Sequence, residues 1–137
     1  MLGVRDVSTI IRSYRDLVVW QKAVELAVAC HQAARRLPKE EMYGLSMQIR
    51  RASVSVSANI AEGHGRDHLG DYLHHLSIAN GSLMELETLL QIATRLAYLK
   101  PNETQAILTK TGEISRMLSG LTSKLKTRQG RAAVPDT

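Results

Sequence analysis

Apolar residues recur along this chain with a period near 3.6, and no stretch alternates as a strand would, so the pattern predicts an all-α protein. In a first helix predicted over residues 16–37, Val19, Ala23, Leu26, Cys30, Ala33 and Leu37 step by fours and threes. Lys22, Glu25, Gln32 and Arg36 fall on its opposite side, and Pro38 stops it. A second helix, over residues 45–62, carries Leu45, Ile49, Ala52, Val56 and Ile60, with Gly63 and Gly65 placed to end it. Small residues between them (Ser53, Ser55, Ser57, Ala58, Ala61) leave room for a close neighbour.

The third helix is the longest, over residues 67–99, with Asp67 as the expected N-cap. Its main line runs from Leu69 through Leu76, Leu83 and Leu90 to Ala97, and a second line of Leu89, Ile92, Leu96 and Leu99 appears in its C-terminal half. Two apolar lines on one helix imply a second neighbour, such as another subunit. A fourth helix opens on Pro101, which a first turn tolerates, and runs on Ile107, Thr111, Ile114, Leu118, Leu121 and Leu125 to residue 126. The predicted organisation is therefore an N-terminal extension over 1–15, an antiparallel up-down four-helix bundle over 16–126, and a flexible tail over 127–137.

Composition refines this picture in two ways. A chain of 137 residues with one Trp, four Tyr and no Phe must fill its core with aliphatic side chains, which suits closely approaching helices. The single cysteine, Cys30, excludes an intrachain disulfide and a cysteine-only zinc site. No apolar run is long enough to span a membrane and the N-terminus lacks a signal-peptide block, so a cytoplasmic protein is expected. The formal net charge is +5, with the excess at the two ends of the chain. Arg12, Arg15, Lys124, Lys126 and Arg128, together with Arg50 of the second helix, are the candidate contacts to a polyanion such as RNA or DNA. Cations at a helix end also complement its dipole, which is the plain alternative.

Three segments then carry a resemblance: DLVVWQKAVELA, LPKEEMYGLSMQIRRASVSVSANIAEGHGR and SIANGSLMELETLLQIATRLAYL. Together they resemble the four-helix-bundle family known as 23S rRNA intervening-sequence proteins, with NIAEG and GSLMELET the most specific parts. The resemblance implies a four-helix bundle assembled as a homopentamer. The accessory variability determinant of diversity-generating retroelements, a more distant likeness, implies nucleic acid and a reverse transcriptase as partners, on an analogy of fold. Family members usually carry proline two residues before the Asn of NIAEG, where this chain has Ser57; restoring the backbone N–H there should straighten the second helix.

Other polar residues are weighed against structural roles. Asn59, Glu62, Ser82 and Glu85 are expected to form a polar network that fixes helix register, because a buried amide left without partners costs about 1–3 kcal/mol. Arg51 is expected to join it by pairing with Glu85 or Glu87, although a phosphate contact is open to it too. His64, His68, Asp71 and His75 fall at helical spacings, and Asp71 with His74 echoes half of a di-iron bundle motif. No second copy of that motif exists, so a surface histidine cluster is expected, and no metal or other cofactor. Cys30 lies in an apolar stripe and His31 beside it points elsewhere, which supports no activated thiolate. No glycine-rich phosphate loop or catalytic triad is present, so the expectation is a protein that is not an enzyme and has no catalytic residues. It is expected to be an oligomeric scaffold that binds nucleic acid, or alternatively a protein-interaction module without nucleic acid.

Overall fold

The computed structural model describes residues 10–133, with side chains to residue 130. Four α-helices follow in chain order: α1 Val18–Ala34, α2 Leu45–His64, α3 Leu69–Arg95 and α4 Pro101–Ala133. Each packs on its neighbour in the chain, and α4 closes back on α1, so the helices form an antiparallel up-down ring of four with no diagonal packing. Most positions of the apolar lines read from the sequence face inward, while Ile92, Leu96 and Ala97 are exposed. Ala23, Leu26, Cys30, Ile49, Val56, Ile60, Ala79, Leu83, Leu86, Leu90 and Ala93 are completely inaccessible to solvent. Thr111 shares that interior, its hydroxyl donating to Glu87 Oε2 at 2.6 Å, and no buried side-chain polar atom lacks a partner among the described residues.

The ends of the elements depart from the sequence reading in instructive places. Residues 14–16 form a separate 3₁₀ turn capped by Ser13, whose Oγ accepts from the Arg15 amide at 3.1 Å, and α1 starts only at Val18. Tyr14 in that turn meets Trp20 edge to face, ring centroids 5.0 Å apart. His68, not Asp67, occupies the N-cap of α3, with no side-chain cap. Helix α2 runs through Gly63 to His64, so only Gly65 marks its end. Gly63 is instead a contact point: a Cβ there would lie 2.8 Å from the Cβ of His75 and 3.0 Å from Tyr72 Cδ1. At the other end, α3 stops before Leu99 in a Schellman motif. Ala97 takes a left-handed φ of 64°, while Tyr98 N bonds to Ala93 O at 2.9 Å and Ala97 N to Thr94 O at 2.9 Å.

The expected tail boundary also shifts. Helix α4 continues unbroken through residue 126 to Ala133, and Leu125 is its last buried side chain, so residues 127–130 extend as an exposed helical stalk. The segment carries no apolar period because its side chains are exposed and reach no core. Residues 1–9 of the expected extension and 134–137 of the expected tail lie outside the described residues.

Candidate functional site

Two ends of the bundle collect different residues. The first holds the start of α1, the α2–α3 turn and the end of α4. Gln129 Nε2 stands 3.9 Å from where a Gly70 Cβ would be. Arg12, Arg15, Lys124, Lys126 and Arg128 all gather at this end, exposed. Arg15 rests its guanidinium 5.1 Å from the Tyr14 ring centroid, and Lys126 lines a shallow recess between α3 and α4 with Asn80 and Ser119. Acidic residues are interspersed there. Asp16 accepts backbone bonds from Arg12 N at 2.9 Å and Ser13 N at 3.2 Å, which hold its carboxyl below the usual range. Asp67 and Asp71 are exposed beside it in the chain order of the turn.

Arg50 belongs to the opposite end, apart from the other five. Here the α1–α2 link and the α3–α4 link are tied together: Tyr98 OH donates to Glu41 Oε2 at 3.3 Å, and Arg36 pairs with Glu103 at 2.9 Å. From this end three adjoining depressions, sharing His31, Arg35 and Arg50, follow the seam between α1 and α2 and together outline a groove. Arg35, Lys39, Arg50 and Arg51 border it with His31, over apolar side chains that include Ala27, Val28 and Val54. No aspartate or glutamate lines it. Two carboxylates adjoin it in the chain: Glu40, exposed next to Lys39, and Glu41, whose Oε1 accepts from Leu45 N at 3.0 Å to cap α2.

The groove's side chains are held with different firmness. Arg50 is half-buried, donating from Nη1 to Ser46 Oγ at 2.7 Å and from Nη2 to Met42 O at 3.5 Å. His31 bonds through Nδ1 to Ala27 O at 2.8 Å. A carbonyl only accepts, so Nδ1 carries the proton and Nε2 is the atom left for a ligand. Arg35 and Arg51 are exposed, without an ion pair among the described residues. That corrects the expected Arg51 pairing with Glu85 or Glu87: Glu85 is exposed on α3, and Glu87 is engaged by Thr111. Guanidinium groups of this kind, beside one held by Ser46, have the forked donor geometry that suits a phosphate. Sequence reasoning singled out Arg50 but not Arg35, Lys39 or His31, which come together only through the α1–α2 packing.

The register-fixing network also differs from expectation in membership. Ser82 Oγ lies 2.8 Å from Ser55 Oγ, and Asn59 Nδ2 donates to Ser55 O at 2.9 Å and Ser55 Oγ at 3.1 Å. Asn59 Oδ1 then meets His75 Nδ1 at 3.0 Å. Asn59 and Ser82 are members as expected. Glu62 is not; it is exposed, 3.9 Å from Arg66. The histidine cluster is divided, His75 into this network and His64 edge to face with Tyr72 at 5.8 Å. Among the described residues no group of three His, Cys, Asp or Glu side chains is placed to hold a metal ion. Cys30 is sealed in the core, and burial pushes its thiol up to about 12. No helix among the described residues is long and apolar enough to cross a membrane.

Comparison with known proteins agrees with this architecture. A crystal structure of a protein of unknown function from the S23 ribosomal protein family of Bacteroides thetaiotaomicron superposes with a TM-score of 0.72 at 27% identity, covering 77% of this chain and 98% of that one. A search of curated proteins finds no match. The family model for 23S rRNA-intervening sequence protein matches residues 15–120, nearly the whole bundle. On that match, the chain belongs to the 23S rRNA-intervening sequence protein family.

Proposed function

We propose that this protein is a non-catalytic, oligomeric scaffold that binds nucleic acid along the α1–α2 groove, acting in the cytoplasm. The single observation that carries the reading is the row of Arg35, Lys39, Arg50 and Arg51 around His31 with no carboxylate in its lining. At the other end Asp16, Asp67 and Asp71 are interspersed among the cations, whereas the lining here holds no carboxylate. Cations concentrated over a groove recruit phosphates with release of counterions, so affinity should fall steeply with salt.

Self-association is supported by a separate surface. On α3, Met84, Ile92 and Leu96 are 43%, 44% and 51% exposed, while Leu89 and Leu99 of the same predicted line are buried within the subunit. A partly buried line that continues onto the surface fits a contact with another copy. The family resemblance suggests a pentamer, and the more distant likeness to the accessory variability determinant suggests a reverse-transcriptase partner. The same surface favours the second reading, a protein-interaction module whose cations serve solubility.

The test is fluorescence anisotropy with labelled RNA and DNA across a salt series, using the wild type, Arg35→Glu/Arg51→Glu and Lys124→Glu/Lys126→Glu. Groove binding predicts at least tenfold weaker binding for the first variant and a smaller loss for the second. Absence of binding at low salt overturns the nucleic-acid reading and leaves the interaction module.

A further inference from the structure

We propose that the α1–α2 groove takes single-stranded nucleic acid, with one unpaired base stacked on Tyr43. The inference rests on the groove being a nucleic-acid site and adds the class of strand it accepts.

Tyr43 is 80% exposed, the most exposed of the large hydrophobic side chains described. Every other ring has an occupation. Tyr14 and Trp20 pair with each other, Tyr72 packs against His64, and Tyr98 bonds to Glu41. Tyr43 has no ring or cation against it among the described residues. A ring left in water gives up the burial that aromatic side chains usually contribute to stability, so its position calls for a partner outside the chain.

Its place in the fold says which partner. Tyr43 follows Met42, whose carbonyl accepts from Arg50 and which lines the groove mouth with Lys39. Tyr43 therefore adjoins the groove mouth in the chain, with its ring in solvent. The turn that presents it is fixed on its other side. Gly44 leaves room for the Glu41 carboxylate, since a Cβ there would lie 2.8 Å from Glu41 Oε1, and that same oxygen caps α2. A flat ring on a held turn beside a cationic track is the combination that binds unpaired strands: phosphates follow the charges and a base stacks on the ring. A duplex keeps its base faces stacked inside and offers such a ring nothing to cover.

The test compares unstructured 20-nucleotide RNA and DNA strands with duplexes of equal length, by anisotropy, on wild type, Tyr43→Phe, Tyr43→Ala and Arg35→Glu/Arg51→Glu. Single strands should bind at least tenfold more tightly than duplexes. Tyr43→Phe should keep that affinity, whereas Tyr43→Ala should lose roughly tenfold on single strands and leave duplex binding unchanged. Melting curves will be the same for all Tyr43 variants, because the side chain packs on nothing. Duplex binding as tight as single-strand binding, or an unchanged affinity in Tyr43→Ala, overturns the inference. If charge reversal still abolishes binding in that case, the groove reading survives alone; no binding by any form overturns both.

Discussion

His75 Nδ1 lies 3.0 Å from Asn59 Oδ1, and the direction of this bond follows from what surrounds it. Asn59 Nδ2 donates to the Ser55 carbonyl, so Oδ1 is the acceptor and the imidazole donates. The chain His75, Asn59, Ser55, Ser82 thus crosses the α2–α3 seam with each group satisfied. Replacing Asn59 with Ala should destabilise the fold by about 1–3 kcal/mol, while Glu62→Ala and Glu85→Ala should each stay within about 0.5 kcal/mol of wild type. Urea denaturation of the three variants measures this, and equal effects would dissolve the network as described.

Gly63 sits where α2 and α3 come closest. An added Cβ would press on the Cβ of His75 and the ring of Tyr72, neither of which can yield without moving α3. Gly63→Ala should therefore destabilise by roughly 1–3 kcal/mol. Gly120 is the opposite case, inside α4 with nothing within 4 Å of a new Cβ. Gly120→Ala should stabilise by about 0.5–1 kcal/mol through helix propensity alone. Thermal melts that moved both variants in one direction would contradict the packing.

Ala97 holds a left-handed conformation that glycine adopts without strain. Ala97→Gly should raise stability by about 1 kcal/mol, since the left-handed region disfavours a Cβ by roughly 1–2 kcal/mol. A lowered melting temperature would mean that the α3–α4 turn is not shaped by this residue.

Burial pushes the Cys30 thiol up to about 12 from an ordinary 9.0. In the folded protein it stays protonated at pH 8, so a thiol reagent should react only as fast as the chain opens, and promptly in urea. The sign of the linkage follows: between those two values the unfolded chain loses the proton and the folded chain keeps it, so stability falls as pH rises through that window. Rapid labelling of the native protein would place the thiol outside the core.

At the groove, single substitutions should act through salt. Lys39→Ala and Arg51→Ala, both exposed, should each reduce the slope of log affinity against log salt by about 1, with little change in stability. A slope unmoved by either removes that side chain from the phosphate row.

The core was legible because it depends on spacing alone: Ile49, Val56 and Ile60, or Leu83 and Leu90, can be counted off a helix without knowing the partner. The helix count and the up-down ring followed from short links. Membership of the polar network was not, since Glu62 and Asn59 are three residues apart and only the crossing of α2 over α3 decides which faces Ser82 and which faces water. The groove was harder still. Arg35 and Arg51 are distant in sequence, and although Arg50 bonds to Ser46 one turn away on its own helix, the row forms only where α1 packs on α2. Tyr43 gave no periodic signal because it lies in a turn.

An even number of antiparallel rods returns the chain to the side from which it set out. Ser13 and Gly130 both stand at the end away from Tyr43, separated from it by α2, whose 20 residues span about 30 Å. A tether or fluorophore attached at Ser13 or Gly130 would therefore sit at the far end from the groove mouth.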